Sequence, residues 1–426
     1  MVKIKDITTK VGSGSTPRGG QRVYQDSGTT LIRSQNVYDF SFAKEGLVFI
    51  NDEAAEKLKN VTLQEKDILL NITGDSVGRC CIVPNEFLPA RVNQHVAIIR
   101  ADSNNSAEFL LYALNEKQTK ERLLNQVHGG TRKALTKGII EEFNISIPSF
   151  EEQKSIASIL WSLDEKIQLN HKINNTLEEI AMNLYRYWFV DFIPFKDKPF
   201  KNTDLGQIPA EWEVGKLGDL ISVQNGYAFK SSQWQEEGIP VVKIKNIDPP
   251  IISLKDVAFV NNDLKKNLDR FLLRKGDYLI GMTGAEIGKC GIFFNEQEAF
   301  LNQRVGRIRP NLTEFNPIPL VYLFTRLPDF KQKVLDRATG SAQPNISNSS
   351  IEDIPILLPP RELLSEFIKL IIDHYNTLIN NYNENYNLEL IRDYLLPRLT
   401  SGEIEIPQAA KIVKEVLLNE QPESSL

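Results

Sequence analysis

Mostly apolar residues recur at alternating steps of four and three along residues 149–192. These positions are Ile156, Leu160, Leu163, Ile167, Asn170, Asn174, Leu177, Ala181, Leu184 and Trp188. Such steps place side chains on one face of a helix and are typical of a coiled-coil seam. Pro148 and Ser149 give a helix start signal, and Glu151 and Glu152 follow in the first turn, where the helix dipole favours acid. The pattern predicts a first long helix.

A second seam lies between residues 361 and 397 and is less regular. Its positions are Leu364, Ile368, Ile371, Tyr375, Leu378 and Tyr382, with a drift afterwards toward Leu388, Ile391 and Leu395. We expect Pro397 to end this helix. At about 1.5 Å per residue the two helices span about 60 Å and about 54 Å, so their matched lengths favour pairing with each other. Asn170 and Asn174 in the first seam can fix the register of that pair.

The rest of the chain contains one sequence pattern in two copies. Residues 67–82 return as residues 277–292 at a constant offset of 210. Each copy contains short apolar runs bounded by Gly, Asn and Asp, which predict strands, and one run of helical spacing. The sequence therefore predicts an α+β protein with two duplicated mixed modules separated by two long antiparallel helices, related by a pseudo-twofold axis. The predicted segments are modules at 1–148 and 210–360, helices at 149–192 and 361–397, a linker at 193–209 and a C-terminal tail at 398–426.

Composition fits a soluble globular protein, with 41% apolar and 25% charged residues. Neither a leader peptide nor an apolar run long enough for a membrane span is evident, which predicts a cytoplasmic protein. The three cysteines, Cys80, Cys81 and Cys290, are too few for a disulfide framework and are expected to be buried thiols. The four histidines lack paired-ligand spacing, so no metal site is expected.

The charge of the chain is unevenly distributed. The whole sequence has a formal charge of -5, whereas residues 1–150 sum to +2, residues 210–359 sum to zero and the remainder sums to -7. Phosphate neutralisation usually dominates nucleic-acid affinity, and near-neutral modules would gain little from it. If DNA is the ligand, a partner should supply much of the electrostatic attraction.

No catalytic motif stands out. The glycine-bounded turns at residues 73–78 and 283–288 lack the ending of a P-loop and the spacing of a dinucleotide site, so they are interpreted as structural turns. Methyl transfer by this chain alone is not expected, because the motif of adenine methyltransferases is missing and residues 316–320 imitate it poorly. The chain is therefore predicted to be non-catalytic and to bind no cofactor itself.

The chain resembles the specificity (S) subunits of type I restriction-modification systems over nearly its whole length. The phrases that carry the resemblance are Gly14-Ser-Thr-Pro17, Ile147-Pro-Ser-Phe-Glu-Glu-Gln153, Leu163-Asp-Glu-Lys-Ile-Gln-Leu-Asn170, Trp188-Phe-Val-Asp-Phe192, Ile208-Pro-Ala-Glu-Trp212, Gly226-Tyr-Ala-Phe-Lys230, Gly340-Ser-Ala-Gln-Pro-Asn345 and Leu395-Leu-Pro-Arg-Leu-Thr-Ser-Gly-Glu-Ile404. The first copy departs from the pattern, because it lacks the phrase that ends in Trp212.

The resemblance implies a DNA-reading subunit with two target recognition domains, each reading one half of a bipartite, asymmetric site. The helices would set the gap between the halves. Family members bind two modification subunits, which methylate adenine with S-adenosylmethionine. In the complete enzyme they also bind two restriction subunits, which use ATP and Mg. These cofactors are therefore expected on the partners.

Base reading requires long or amide side chains that reach from loops into the major groove. Candidates in the first copy are Arg18, Arg22, Arg33, Gln35, Arg79, Arg91, Gln94, Arg132 and Lys133. Candidates in the second copy are Lys230, Gln233, Lys243, Lys245, Lys289, Gln303, Arg304, Gln343 and Asn345. Each could instead be a solvated residue or brace its own loop. Arg79 and Lys289 share a repeat position, which suits a phosphate contact or a structural pair equally.

Two alternatives stay open at the level of sequence. The aromatic residues of the first helix, among them Trp188, could fill an interior or dock a modification subunit, and the seam positions of both helices share this ambiguity. The whole chain could also be a scaffold that carries two protein-binding modules on a paired-helix spacer. Near-neutral modules favour the scaffold, whereas polar loops and the family phrases favour DNA.

Overall fold

The computed structural model describes residues 1–126, 134–340 and 343–419. The chain forms two compact units, of which the first is built from two separate segments of sequence and the second from one. Unit 1 comprises Met1–Ile167 and Asn387–Leu426, and unit 2 comprises Gln168–Tyr386. Both long helices contribute to both units, because the chain passes from one unit to the other inside each helix.

The first module of the sequence lies in unit 1 and is built from two four-stranded sheets. One sheet has the antiparallel order Thr8–Ser13, Val96–Ala101, Ile68–Asn71 and Cys80–Ile82. The other has the order Tyr24–Gln25, Val48–Ile50, Thr29–Ile32 and Ala90–Val92, of which the last pair is parallel. A short ladder joins Val2–Lys3 to Asn144–Ile145. The module's helices are Asp52–Lys57, Ala107–Asn115, Lys117–Leu124 and Lys137–Glu142.

The second module lies in unit 2 and repeats this plan with more strands. Its six-stranded sheet has the order Ile221–Asn225, Val305–Pro310, Tyr278–Gly281, Cys290–Ile292, Ile251–Ile252 and Ile247–Asp248. Its five-stranded sheet has the order Trp234–Gln235, Ala258–Val260, Ile239–Val242, Ala299–Leu301 and Leu272–Leu273. A hairpin joins Phe200–Thr203 to Gly206–Pro209, and a separate antiparallel pair joins Glu213–Lys216 to the distant strand Pro355–Leu358. The helices are Lys265–Leu268, Ile318–Thr325, Phe330–Leu335 and Asn348–Glu352.

The repeated sequence folds into a repeated ladder. Ile68 faces Ile82 on one side and Ile99 on the other, while Tyr278 faces Ile292 and Ile308. Because side chains alternate between sheet faces, equal registers place equivalent residues of the two modules on equivalent faces. The predicted duplication of a mixed α/β module is therefore confirmed.

The first long helix runs over Phe150–Phe189 and the second over Arg361–Ser401. In unit 1, Asp164 meets Arg392, and in unit 2, Asn174 meets Asn381 while Phe189 packs on Phe367. Residue numbers fall along one helix as they rise along the other, so the helices pair antiparallel within each unit. The first-seam residues are buried or half-buried throughout, with Leu160 and Leu163 fully enclosed.

The second long helix does not end at Pro397, contrary to our expectation, but continues to Ser401. Proline removes one helical hydrogen bond and costs about 3 kcal/mol in a helix interior. Leu395, Leu396 and Leu399 are buried in the core of unit 1, and burial on both sides of the proline outweighs that cost.

The predicted C-terminal tail contains a further helix, Ile406–Asn419. Its Ala409 and Val413 are buried in the core of unit 1, where they belong to the same cluster as Leu395. In unit 2, Trp212 is buried in the apolar core and packs against Phe189 and Phe195. The first module lacks that tryptophan phrase, and the C-terminal helix adds apolar cover to its unit.

All three cysteines are buried and free, as predicted. Burial raises the pKa of Cys80 and of Cys290 to about 12, so both remain protonated at neutral pH. Within the described part of the chain, no helix is long and apolar enough to cross a membrane.

Candidate nucleic-acid interface

An open groove of about 650 Å³ in unit 2 collects three of the predicted DNA-reading residues. Its lining comprises Val223, Asn225, Met282, Gln303, Arg304, Asn345, Ile346, Ser347, Asn348, Ser349 and Glu352. Gln303, Arg304 and Asn345 are exposed. We call this the amide groove, because four of its lining residues are Asn or Gln.

Backbone hydrogen bonds hold the rims of the amide groove. Thr339 and Asn345 exchange two backbone bonds of 2.8 Å, and the amide of Gly284 donates to the carbonyl of Pro344 at 2.8 Å. Gly284 has a φ of 75°, a conformation that glycine adopts without strain. The rim is thus fixed by main chain, which leaves the side chains of Gln303, Arg304 and Asn345 available to a ligand.

The same construction occurs in unit 1. A bridge between Thr73 and Ala134 matches the bridge between Thr283 and Asn345. Thr136 caps the helix Lys137–Glu142 in the way that Ser347 caps Asn348–Glu352. The bridge and the helix cap that frame the amide groove in unit 2 therefore recur in unit 1.

The side chains differ between the two sites. Gln94 and His95 occupy the positions of Gln303 and Arg304, and the His95 ring contacts Thr73 Oγ1 at 2.6 Å and Gln94 Nε2 at 2.9 Å. In unit 1, His95 is therefore held by hydrogen bonds to its neighbours, whereas in unit 2 the same position carries the exposed Arg304. Two predicted residues, Arg132 and Lys133, lie outside the described residues.

Other candidates of the first module divide into two groups. Arg33 donates to the carbonyl of Gly46, and Arg91 Nε donates to the carbonyl of Ala55 at 3.2 Å. This geometry supports the loop-bracing alternative for both. The candidates with exposed side chains are Arg18, Arg22, Gln35 and Gln94, while Arg79 stacks on the Tyr38 ring at 4.8 Å.

The second module shows the same division. Lys243 Nζ lies 3.9 Å from the centre of the Trp234 ring, and burial, followed by the charge of Lys245, lowers its pKa. Lys289 pairs with Glu286, and Gln233 accepts a hydrogen bond from the Lys230 amide at 2.7 Å. Exposed side chains remain at Lys230, Lys245, Gln303, Arg304, Gln343 and Asn345.

A buried polar cluster ties the first module to the helix pair of unit 1. Asp164 accepts hydrogen bonds from the Tyr112 hydroxyl at 2.5 Å and from Arg392 Nη1 at 2.7 Å, and the Arg392 guanidinium also lies over the Phe40 ring at 3.9 Å. Burial raises the pKa of Asp164, and the charge of Arg392 opposes that shift. Fixing Tyr112 in this way fixes the helix Ala107–Asn115 on the long helices.

In unit 2, Tyr322 occupies the repeat position of Tyr112 and likewise bonds to the first long helix. The Tyr322 hydroxyl donates to Glu178 of the first long helix at 2.9 Å, and Arg326 pairs with the same carboxylate. Nearby, Asn170 donates to Asn385 at 2.8 Å, and Asn381 donates to Asn174 at 2.8 Å. Such buried amide pairs favour one register of the helices.

Sequence reasoning missed Asn225 and Asn348 in the amide groove. Asn348 Nδ2 donates to the carbonyl of Val223 at 2.7 Å, and Glu352 accepts from the amide of Val223 at 2.7 Å. The signal was the repeat of a helix cap, Thr136 in one copy and Ser347 in the other, directly after the polar loop. In the residues that the structure describes, no group of acidic, His or Cys side chains is arranged to hold a metal ion.

Comparison with known proteins identifies the family. Residues 1–179 and 209–389 match the type I restriction modification DNA specificity domain. The chain is 28% identical over 422 residues to the type I restriction enzyme MjaIX specificity subunit of Methanocaldococcus jannaschii, covering 95% of this chain and 93% of that protein. It is 24% identical over 406 residues to the HindI specificity subunit of Haemophilus influenzae, covering 80% and 87%.

A solved structure of similar fold is that of a type I restriction-modification S subunit from M. genitalium. The TM-score is 0.57 at 15% identity, with 93% of this chain and 95% of that chain covered. The chain belongs to the family of type I restriction-modification DNA specificity subunits. The predicted family, its DNA-recognition role and its non-catalytic character are thereby confirmed.

Proposed function

We propose that each module reads one half of a bipartite, asymmetric DNA site, with residues 1–148 and 210–360 as the two target recognition domains. The observation that carries this proposal is the recurrence in both modules of one bridge and one helix cap with different side chains beside them. Equal backbones dock on DNA in the same way, whereas Gln94 with His95 and Gln303 with Arg304 present different hydrogen-bonding groups to base edges. One chain would thus recognise two different half-sites.

We expect Arg304→Ala to weaken recognition of one half-site selectively. An arginine that bonds guanine contributes about 1–3 kcal/mol of discrimination, or roughly 5- to 150-fold in affinity. Binding of the assembled complex to duplexes with single substitutions in each half measures this effect. Arg361→Ala, which removes an exposed arginine outside the groove, is the matched control. Equal losses at both halves, or none at either, would contradict the assignment.

The long helices are proposed to set the unread gap and to dock two modification subunits. The first long helix exposes an apolar stripe of Leu169, Ile173, Ile180 and Tyr187, which are 52%, 37%, 42% and 45% exposed. Exposed apolar stripes of this kind mark protein interfaces.

S-adenosylmethionine, ATP and Mg would then be bound by the modification subunits and by two restriction subunits. We place the assembly in the cytoplasm.

A coordinated insertion tests the role of the helices in spacing. Seven residues added after Ile167 and seven added before Asn387 extend both helices at the boundary between the units and leave the contacts inside each unit intact. A heptad adds about 10 Å and preserves the seam, so the permitted gap should lengthen by about three base pairs at about 3.4 Å each. Insertion in one helix alone should abolish assembly. New half-site sequences with the old gap would refute the spacing role.

A further inference from the structure

A second pocket in unit 2 concentrates positive charge in a module whose charges sum to zero over residues 210–359. It has a volume of about 450 Å³ and is lined by Asp269, Arg270, Leu272, Arg274, Asp277, Arg307, Arg309 and Pro310. Four arginines thus face two aspartates. We call it the arginine pocket. Because side chains alternate along a strand, Arg307 and Arg309 lie on one face of the strand Val305–Pro310, while Ile308 lies on the other.

The duplicated module explains how this charge arises. In unit 1, Asp67 accepts two hydrogen bonds from Arg100, at 2.7 Å from Nε and 2.8 Å from Nη2, so both charges are neutralised. The strand registers place Asp277 at the position of Asp67 and Arg309 at that of Arg100. If the ion pair were repeated, Arg309 would be bound to Asp277.

In unit 2 the carboxylate of Asp277 pairs with Arg307 instead of Arg309. Arg307 Nη1 lies 3.1 Å from Asp277 Oδ2, and the position of Arg307 is occupied by Ile98 in unit 1. Across the described residues 1–126, 134–340 and 343–419, Arg309 forms no ion pair with an acid. Burial and then the positive charge of Arg307 lower the pKa of Arg309, and the charge of Asp277 opposes this shift.

Arg307 provides a rigid floor for the pocket. It is 4% exposed, and it donates to the carbonyl of Leu272 at 2.7 Å, to Gln224 at 2.7 Å and to the carbonyl of Arg270 at 2.6 Å. Its buried Nε finds no hydrogen-bond partner among the residues that the structure describes. Because this Nε is enclosed, Arg307 acts as the fixed base of the pocket. The cations that a ligand can reach are the exposed Arg270, Arg274 and Arg309.

We propose that the arginine pocket binds a phosphate group of the DNA backbone. Arginine forks match phosphate oxygens, and a surface pocket bordered by exposed arginines suits a phosphate carried on a duplex. The proposal rests on DNA recognition as the proposed function and adds a contact that carries no sequence information. It is specific to the second module, because Asn60, Gln64 and Ile98 stand where unit 2 has Arg270, Arg274 and Arg307.

The salt dependence of DNA binding tests this contact. The assembled complex of this chain with its modification subunits is titrated with its target duplex and with random duplex between about 50 and 200 mM salt. Arg309→Gln should reduce the slope of log K against log salt by about 0.9, so that the affinity loss is roughly three- to fourfold larger at the low end. The loss should be equal for both duplexes, because phosphate contacts are independent of sequence. Arg361→Gln is the matched control and should keep the wild-type slope.

The outcomes separate this inference from the proposed function. A wild-type complex that fails to prefer its target over random DNA would refute the function itself, whatever Arg309→Gln does. Target preference together with an unchanged slope for Arg309→Gln would overturn the phosphate site alone. Equal slope changes in the Arg309 and Arg361 variants would also overturn it, because the effect would then be one of general charge. Phosphate binding by the free chain that Arg309→Gln abolishes, without any change in DNA slope, would show a free-anion site and contradict the DNA contact.

Discussion

Replacing Arg392 with alanine should destabilise unit 1 by about 3–5 kcal/mol, because the change leaves the buried carboxylate of Asp164 without its cation. Asp164 and Arg392 are 6% and 7% exposed, so water cannot readily replace the lost partner. The cation–π contact with Phe40 is lost as well. Urea unfolding of the complete chain, followed by hydrogen exchange to locate the change, measures the effect.

Two further variants separate the ion pair from general packing. Asp393→Ala removes an exposed partner of the same arginine and should cost less than about 1 kcal/mol. Asp164→Leu combined with Arg392→Met removes both charges, and this pair should be more stable than Arg392→Ala alone. If the double variant were the less stable, the cost would not come from an unpaired charge.

The loss in Arg392→Ala should also depend on pH. Burial raises the pKa of Asp164, and without Arg392 it rises further. A carboxyl group with a raised pKa in the folded state destabilises that state as pH increases from the unfolded pKa, about 3.9, toward the folded pKa. The penalty should therefore be smallest near about pH 4, where the carboxyl of the folded protein is protonated, and largest at neutral pH, where it is ionised.

Replacing Phe367 with alanine should destabilise unit 2 by about 3–5 kcal/mol. Phe367 is fully buried, and its ring centre lies 4.9 Å from that of Phe189, 5.5 Å from that of Trp188 and 6.4 Å from that of Tyr185. The truncation leaves a cavity among rigid rings that cannot easily collapse. Urea unfolding, with hydrogen exchange to locate the change, should report faster exchange in unit 2.

The matched control for Phe367→Ala is Phe150→Ala, at the start of the first long helix. Phe150 is 38% exposed, so its truncation should cost less than about 1 kcal/mol. Faster exchange in unit 1 after Phe367→Ala, with unit 2 unchanged, would contradict the division of the helices between two units.

The long helices and the duplication were predictable because both depend on repetition. A seam such as Leu160 and Leu163 repeats a physical requirement over many turns, and local exceptions do not erase it. The duplication was predictable because the sequence repeats at a constant offset, which relates Asp67 to Asp277. The repeated strands then pair in the same register in both modules. Helix ends were less predictable. Pro397 carries a strong stop signal, and only the burial of Leu399 beyond it explains why the helix continues.

The candidate site was predictable in composition but not in detail. Arg33 and Arg304 look alike in sequence, yet Arg33 bends back to a carbonyl of its own loop while Arg304 is exposed at a groove. That difference depends on the position of Gly46 in space, which no local pattern encodes. The exchange of Arg309 for Arg307 as the partner of Asp277 is likewise a matter of geometry, because both residues lie on one face of one strand.

Methylation-sensitive sequencing of DNA modified by the assembled complex tests the central claim most directly. We predict adenine methylation at one bipartite motif, with two unrelated halves and a fixed gap, only when this chain is present. Arg304→Ala should relax one half of that motif and leave the other half and the gap unchanged. Methylation of the same motif by the modification subunits without this chain, or of a single undivided motif, would contradict the account.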